Sequence, residues 1–158
     1  MLASRECYRR IKAVDIAPLL AALPQLRFMG LGNMGVGQPP CFVTLPDAPV
    51  PDEVDRFIQE LGLGGSTYRR FFRRLSAGQG IAPHVDDWVP ADAGIRRFQV
   101  PITSHPEIVM RWPEVATWVH LEPGFLYEVR YDRQHEVVNR TDAERIHLKI
   151  DQIGATIG

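Results

Sequence analysis

Ile81-Ala82-Pro83-His84-Val85-Asp86 opens the region, 81–151, around which the chain is organised. On an extended strand, side chains two apart point to the same side, so His84 and Asp86 face one point while Val85 turns away. Asp87 offers a rival carboxylate, but a regular strand puts it on the opposite side. The pair alone means little: five histidines in 158 residues place roughly 0.3 His-x-Asp pairs by chance. Context raises its value. His135, 49 positions after Asp86, follows the turn residues Asp132-Arg133-Gln134 and precedes Val137-Val138-Asn139, a position from which an imidazole reaches inward.

Between Asp86 and His135 run short strand-like segments, 97–103, 107–112, 116–121 and 125–131. Turn signals separate them at His105-Pro106, Trp112-Pro113-Glu114 and Glu122-Pro123-Gly124. This cadence predicts a mainly β sandwich or barrel, whose antiparallel sheets bring a distant third ligand round to the first two. Two imidazoles and one carboxylate form the facial triad that holds iron(II) and leaves three positions open. A 2-oxo acid fills two of them and O₂ the third. The distal carboxylate of such a cosubstrate needs a buried cation. In the last strand, 145–151, Ile146, Leu148 and Ile150 form one apolar face, so Arg145 and His147 turn to the other. An arginine opening a half-buried strand needs a carboxylate, from a cosubstrate or from Asp142 or Glu144. In 97–103, Arg97, Gln99 and Pro101 alternate with Phe98, Val100 and Ile102, and either the interior or the surface is open to Arg97 and Gln99.

A chain of 158 residues fits one domain, read as an N-terminal helical and loop support, 1–65, and a β core, 66–151. With 18 basic and 19 acidic residues, net charge gives no attraction to nucleic acid or membrane. Two cysteines and no uninterrupted apolar leader suggest a cytoplasmic protein without a disulfide framework. A short helix is expected over 15–23, with Asp15 as N-cap. The clearest helix starts at Pro51, with Val54, Phe57, Ile58 and Leu61 as its core face and Gly62 or Gly64 at its end. Gly30-Leu31-Gly32-Asn33-Met34-Gly35 has the spacing of a dinucleotide loop, but Gly37, Pro39 and Pro40 forbid the helix that such a loop must enter. A glycine-rich loop, with a lid over the site as one version of it, is the better reading. From Ser66 the period becomes two, with Tyr68, Arg70, Phe72 and Arg74 opposite Arg69, Phe71, Arg73 and Leu75. These arginines are read mainly as solvated or paired, with Arg70, Phe72, Arg74 and, beyond the triad strand, Trp88 as candidate substrate-pocket residues. His105 is read as exposed in a turn, and His120 as structural.

Ile81-x-x-His84-x-Asp86, Arg97-Phe98-Gln99-Val100-Pro101-Ile102, Pro123-Gly124, His135-x-x-x-Asn139 and 145–151 together resemble the aspartyl/asparaginyl β-hydroxylase family of iron(II) and 2-oxoglutarate oxygenases. The resemblance covers about half of the chain. It implies a double-stranded β-helix, or jelly roll, with helices packed on one sheet. It implies His84, Asp86 and His135 as metal ligands, Arg145 as the anchor of the distal cosubstrate carboxylate, and Arg97 as an arginine near the cosubstrate. Asn139 would orient the His135 segment, and His147 would stand behind the site. Gln99 departs from the pattern, since many members carry histidine there. The implied reaction hydroxylates an amino acid, free or in a peptide, with release of succinate and CO₂. A zinc hydrolase on the same ligands, which would leave Arg145 without a purpose, and a non-catalytic binding module are the alternatives.

Overall fold

The structure, a computed structural model, describes residues 2–3, 5–31, 41–45, 48–86 and 94–158. In chain order its elements are β1 (Tyr8–Ala13), α1 (Ala17–Ala22), β2 (Met29–Leu31), β3 (Cys41–Val43), α2 (Asp52–Glu60), β4 (Ser66–Leu75), β5 (Ile81–His84), β6 (Ile95–Thr103), β7 (Val109–Trp112), β8 (Thr117–Val119), β9 (Phe125–Val129), β10 (His135–Val138) and β11 (Arg145–Ile153). The strands form a seven-stranded sheet in the order β1-β9-β6-β11-β4-β3-β2 and a four-stranded sheet in the order β5-β10-β7-β8. All of the pairings are antiparallel. This is the mainly β sandwich that the strand cadence predicts, with the jelly-roll form that the resemblance implies.

The large sheet is covered by helices on one face. Phe72 of β4, Phe98, Val100 and Ile102 of β6, and Ile146, Leu148 and Ile150 of β11 meet Val54, Phe57, Ile58 and Leu61 at α2 and Leu19 and Ala22 of α1 in one apolar cluster. Period two on the strands and period 3.6 on α2 therefore serve the same core. The other face of the sheet looks across the sandwich at the small sheet, so its side chains are enclosed even where they are polar. β11, at the centre, is buried from Arg145 to Gln152.

Three differences from the expected elements have local causes. The 15–23 helix is α-helical only over Ala17–Ala22, with Pro18 in its first turn, and tightens into a 3₁₀ turn at Leu23–Gln25, around Pro24. The N-cap is Ile16 and not Asp15, whose carboxylate nevertheless accepts a hydrogen bond from the Ala17 amide at 3.0 Å. β1 and β2, together with β3 at the short strand expected over 41–45, belong to the large sheet, so 1–65 supplies strands as well as helical support. β1 was hidden by its charges. It is an edge strand paired with β9, where Arg9 bonds Glu128 at 2.9 Å and Arg10 stacks on the Phe125 ring at 4.1 Å. Cys7 and Cys41 are both buried free thiols. Among the described residues no helix is long and apolar enough to cross a membrane. Most of the glycine-rich loop, together with Asp87 and Trp88, lies outside the described residues.

Leu148 is fully buried between the sheet and the helices. Leu148→Ala is expected to cost about 2–5 kcal/mol of stability, the range for a large-to-small change in a packed core, read as a lower denaturant midpoint.

Candidate metal centre and anion pocket

β5 and β10 are neighbours in the small sheet, and their register sets His84 opposite His135. Gly80, just before β5, makes this approach possible, since a Cβ there would stand 2.4 Å from the Val137 carbonyl oxygen. The imidazole centroids are 4.4 Å apart. Past β5 the chain crosses to the end of β9, where the Asp86 amide donates to the Tyr131 carbonyl at 3.2 Å. This brings the carboxylate to both rings, with Oδ1 3.3 Å from His84 Nε2 and Oδ2 3.7 Å from His135 Nε2. One ligand atom from each of the three residues lies within 4.8 Å of the others.

The second ring nitrogens fix the chemistry of the first. His84 Nδ1 lies 2.8 Å from the Ala82 carbonyl and His135 Nδ1 2.7 Å from the Arg133 carbonyl. A carbonyl only accepts, so each Nδ1 carries the proton and each Nε2 presents a lone pair toward Asp86. Backbone-oriented imidazoles of this kind are prepared to ligate a metal. Two nitrogen lone pairs and a carboxylate facing one another call for a cation between them. Burial pushes the His135 pKa down to about 4, against the opposing pull of the Arg133 carbonyl and Asp86, so the ring is neutral and available at pH 7. Burial opposes ionisation of Asp86, but the positive charge of Arg97 against it outweighs that and holds the carboxyl well below the usual range.

Arg97 faces the interior, but it is already engaged. Its Nε and Nη2 donate to the two oxygens of Asp151 at 2.7 and 2.9 Å, and its Nη1 contacts Asp86 Oδ2. Arg69 Nε joins Asp151 from the other side at 3.1 Å. Arg97 is thus better placed to fix the Asp86 carboxylate than to grip a ligand. Gln99 Oε1 accepts from His147 Nδ1 at 2.9 Å, leaving Gln99 Nε2 and His147 Nε2 buried without partners. Asn139 holds the turn before β11, donating to the Ala143 carbonyl at 3.0 Å and accepting from the Thr141 amide and hydroxyl at 3.0 and 2.8 Å.

Arg145 opens β11 deep in the sandwich, 3% exposed, and its Nη1 has no partner. Burial and then the nearby Arg73 push its pKa down to about 9. Asp142 and Glu144 do not neutralise it: Glu144 pairs with Arg74 at 3.2 Å, and among the described residues no carboxylate is within ion-pair distance of Arg145. A buried guanidinium in this state suits an anionic ligand.

Two groups of expectations part here. His84, Asp86, His135, Arg97, Gln99, His147 and Arg145 all face the space between the sheets. Arg70, Phe72 and Arg74 do not, because their parity on β4 puts them on the helix-covered face: Phe72 is core and Arg70 pairs with Asp55 at 2.7 Å. Arg73, Lys149 and Asp151 also face the interior and were missed. The signal was present, since Arg145, His147, Lys149 and Asp151 are the alternate residues of one strand. His105 caps its own turn, accepting from the Glu107 amide at 3.1 Å, and His120 Nδ1 lies 3.0 Å from the Ile108 carbonyl, a structural bond.

No family model matches the chain, and no curated protein matches it. Solved structures do. An oxidoreductase of the 2OG-Fe(II) oxygenase family from Burkholderia pseudomallei superposes with a TM-score of 0.69 over 92% of this chain and 84% of its own, at 14% identity. A Pseudomonas putida prolyl-4-hydroxylase gives 0.64 over 93% and 92% of the two chains, at 15% identity. The viral collagen prolyl hydroxylase of Paramecium Bursaria Chlorella virus-1, in its 2OG complex, gives 0.59 over 94% and 96%, at 14% identity. The fold is shared with these oxygenases. At such identities the likeness ends there, and the chemistry rests on the residues described above.

Asp151→Asn removes the charge that holds Arg97. It is expected to lower stability by about 3 kcal/mol and to weaken divalent-metal binding on the order of tenfold, measured by denaturation and by competition with a chelating dye. Acidification probes the imidazoles. Below 6.5 the unfolded chain protonates its histidines, while folded His135 refuses the proton until about 4, and His147 is held down by burial and by Arg145 and Lys149. The metal-free fold should therefore lose stability as pH falls from 6.5 towards 4, seen as a declining melting temperature.

Proposed function

We propose that the chain is an iron(II)- and 2-oxoglutarate-dependent oxygenase that hydroxylates a C–H bond of an amino acid, free or within a peptide, and releases succinate and CO₂. The observation that carries this reading is the pairing of a three-donor cluster, His84, Asp86 and His135, with a buried cation lacking a counter-charge, Arg145. Two nitrogens and one carboxylate suit iron(II) and leave ligand positions free, and the guanidinium suits the far carboxylate of a dianion. Bound iron(II) supplies the activation of O₂ coupled to decarboxylation of 2-oxoglutarate.

The chain's own residues bind, orient and exclude. The carbonyls of Ala82 and Arg133 set the tautomers of His84 and His135. Arg97 fixes the Asp86 carboxylate and is fixed in turn by Asp151. Trp112, fully buried with its ring centroid 6.4 Å from that of His135, is part of the apolar packing on that side. We further read the chain as a single oxygenase domain acting in the cytoplasm. The narrower assignment to the aspartyl/asparaginyl β-hydroxylases rests on the resemblance of 81–151, and the prolyl hydroxylases among the structural neighbours keep proline-like substrates in view.

Anaerobic addition of iron(II) and 2-oxoglutarate is expected to give a weak visible charge-transfer band, which a zinc hydrolase would not give. His84→Ala and Asp86→Ala should abolish the band and the 2-oxoglutarate turnover that a pure binding module would lack from the start. Arg145→Met should keep the metal but weaken 2-oxoglutarate binding on the order of a hundredfold, since it removes one partner of a buried charge pair.

A further inference from the structure

The inner face of the large sheet holds more positive charge than the proposed centre uses. Arg73, Arg97, Arg145 and Lys149 are all enclosed there, none more than 6% exposed, against two enclosed acids, Asp86 and Asp151. Arg97 bonds both acids. A divalent iron ion and dianionic 2-oxoglutarate carry equal and opposite charge, so loading the centre leaves the surplus as it was. With Arg145 assigned to the cosubstrate, Arg73 and Lys149 remain, and among the described residues neither has a carboxylate within ion-pair distance.

Register separates these two cations. Across β4, β11 and β6 the inward side chains form rows: Leu75 beside Arg145, then Arg73 beside His147, then Phe71, Lys149 and Gln99, then Arg69, Asp151 and Arg97. Asp86 joins the last row through Arg97. Lys149 thus stands one row from the triad, whereas Arg145 stands three rows away. A cosubstrate stretched between the metal and Arg145 passes Lys149 without requiring it. A buried ammonium beside a reaction centre needs an anion of its own.

We propose that the primary substrate is a carboxylic acid and that Lys149 receives its carboxylate beside the triad, an inference that rests on the oxygenase reading above. Burial, then the charges of Arg73 and Arg97, drive the Lys149 ammonium towards its neutral form in the unliganded protein. An incoming carboxylate offsets all of these. Among amino-acid substrates this selects one with a free α-carboxylate or an acidic side chain over a neutral residue inside a polypeptide. Arg73, diagonal to Lys149 on the neighbouring strand, adds to the same field.

The test is binding rather than turnover. The full chain, loaded with iron(II) and saturating 2-oxoglutarate under anaerobic conditions, is titrated calorimetrically with the common free amino acids and with their α-amides. At least one acid is expected to bind one-to-one on the 2-oxoglutarate complex, at least about tenfold tighter than its amide. In Lys149→Met that preference should collapse while 2-oxoglutarate affinity changes less than about threefold, and Lys149→Arg should restore part of it. If Lys149→Met does not fold, the comparison of acid with amide in the unaltered protein stands by itself. Equal binding of acid and amide, binding of no acid, or a Lys149 variant that weakens 2-oxoglutarate instead would overturn the proposal and leave the oxygenase reading intact. Absence of the 2-oxoglutarate complex itself would overturn that reading, and the proposal with it.

Discussion

Charge enclosed between two sheets must be neutralised or compensated, and the rest of this structure follows from that constraint. Asp86 is shared by two imidazoles and Arg97, Arg97 is tied to Asp151, and Asp151 is tied again to Arg69. The chain of contacts runs from the half-buried Arg69 to the candidate metal centre without a break. Such a network adds little net stability. The apolar cluster on the other face of the same strands supplies it, so β11 carries the fold on Ile146, Leu148 and Ile150 and the site on the residues between them.

How much was legible in the sequence depended on whether a local period or a distant partner decided the matter. The strand cadence, α2 and the two-faced last strand follow from spacing alone. His84 and Asp86 do meet, but not through the strand parity that predicts it: β5 ends at His84, and Asp86 is placed by its amide's bond to the Tyr131 carbonyl. The role of Arg97 was not legible, because an inward arginine looks the same whether it waits for a ligand or is held by Asp151, 54 positions away. β1 was invisible for a related reason. Its arginines look like a solvated surface until Glu128, 119 positions from Arg9, is placed beside them.

Lys149 and Arg73 were within reach of the sequence reading and were passed over. A lysine in the middle of an alternating strand is normally assigned to solvent. Here both faces of β11 are covered, one by helices and one by the small sheet, so no solvent-facing side exists for it. Arg70, Phe72 and Arg74 went wrong by the converse error. Their basic and aromatic character suggests a pocket, but both faces of β4 carry phenylalanine, and only the packing of Phe72 into the helix-side cluster shows which way its face turns.

The distance along the chain between the two imidazoles has a kinetic meaning as well. His84 and His135 meet only through the pairing of β5 with β10, a contact of high sequence separation, and contacts of that kind form late because loop closure must be met first. A nascent or unfolded chain therefore presents at most the local pair His84 and Asp86, without the third donor. Cellular zinc or copper, which bind such donors more tightly than iron(II) does, find no complete three-donor site before β5 and β10 pair, and the choice of ion falls to the finished cavity.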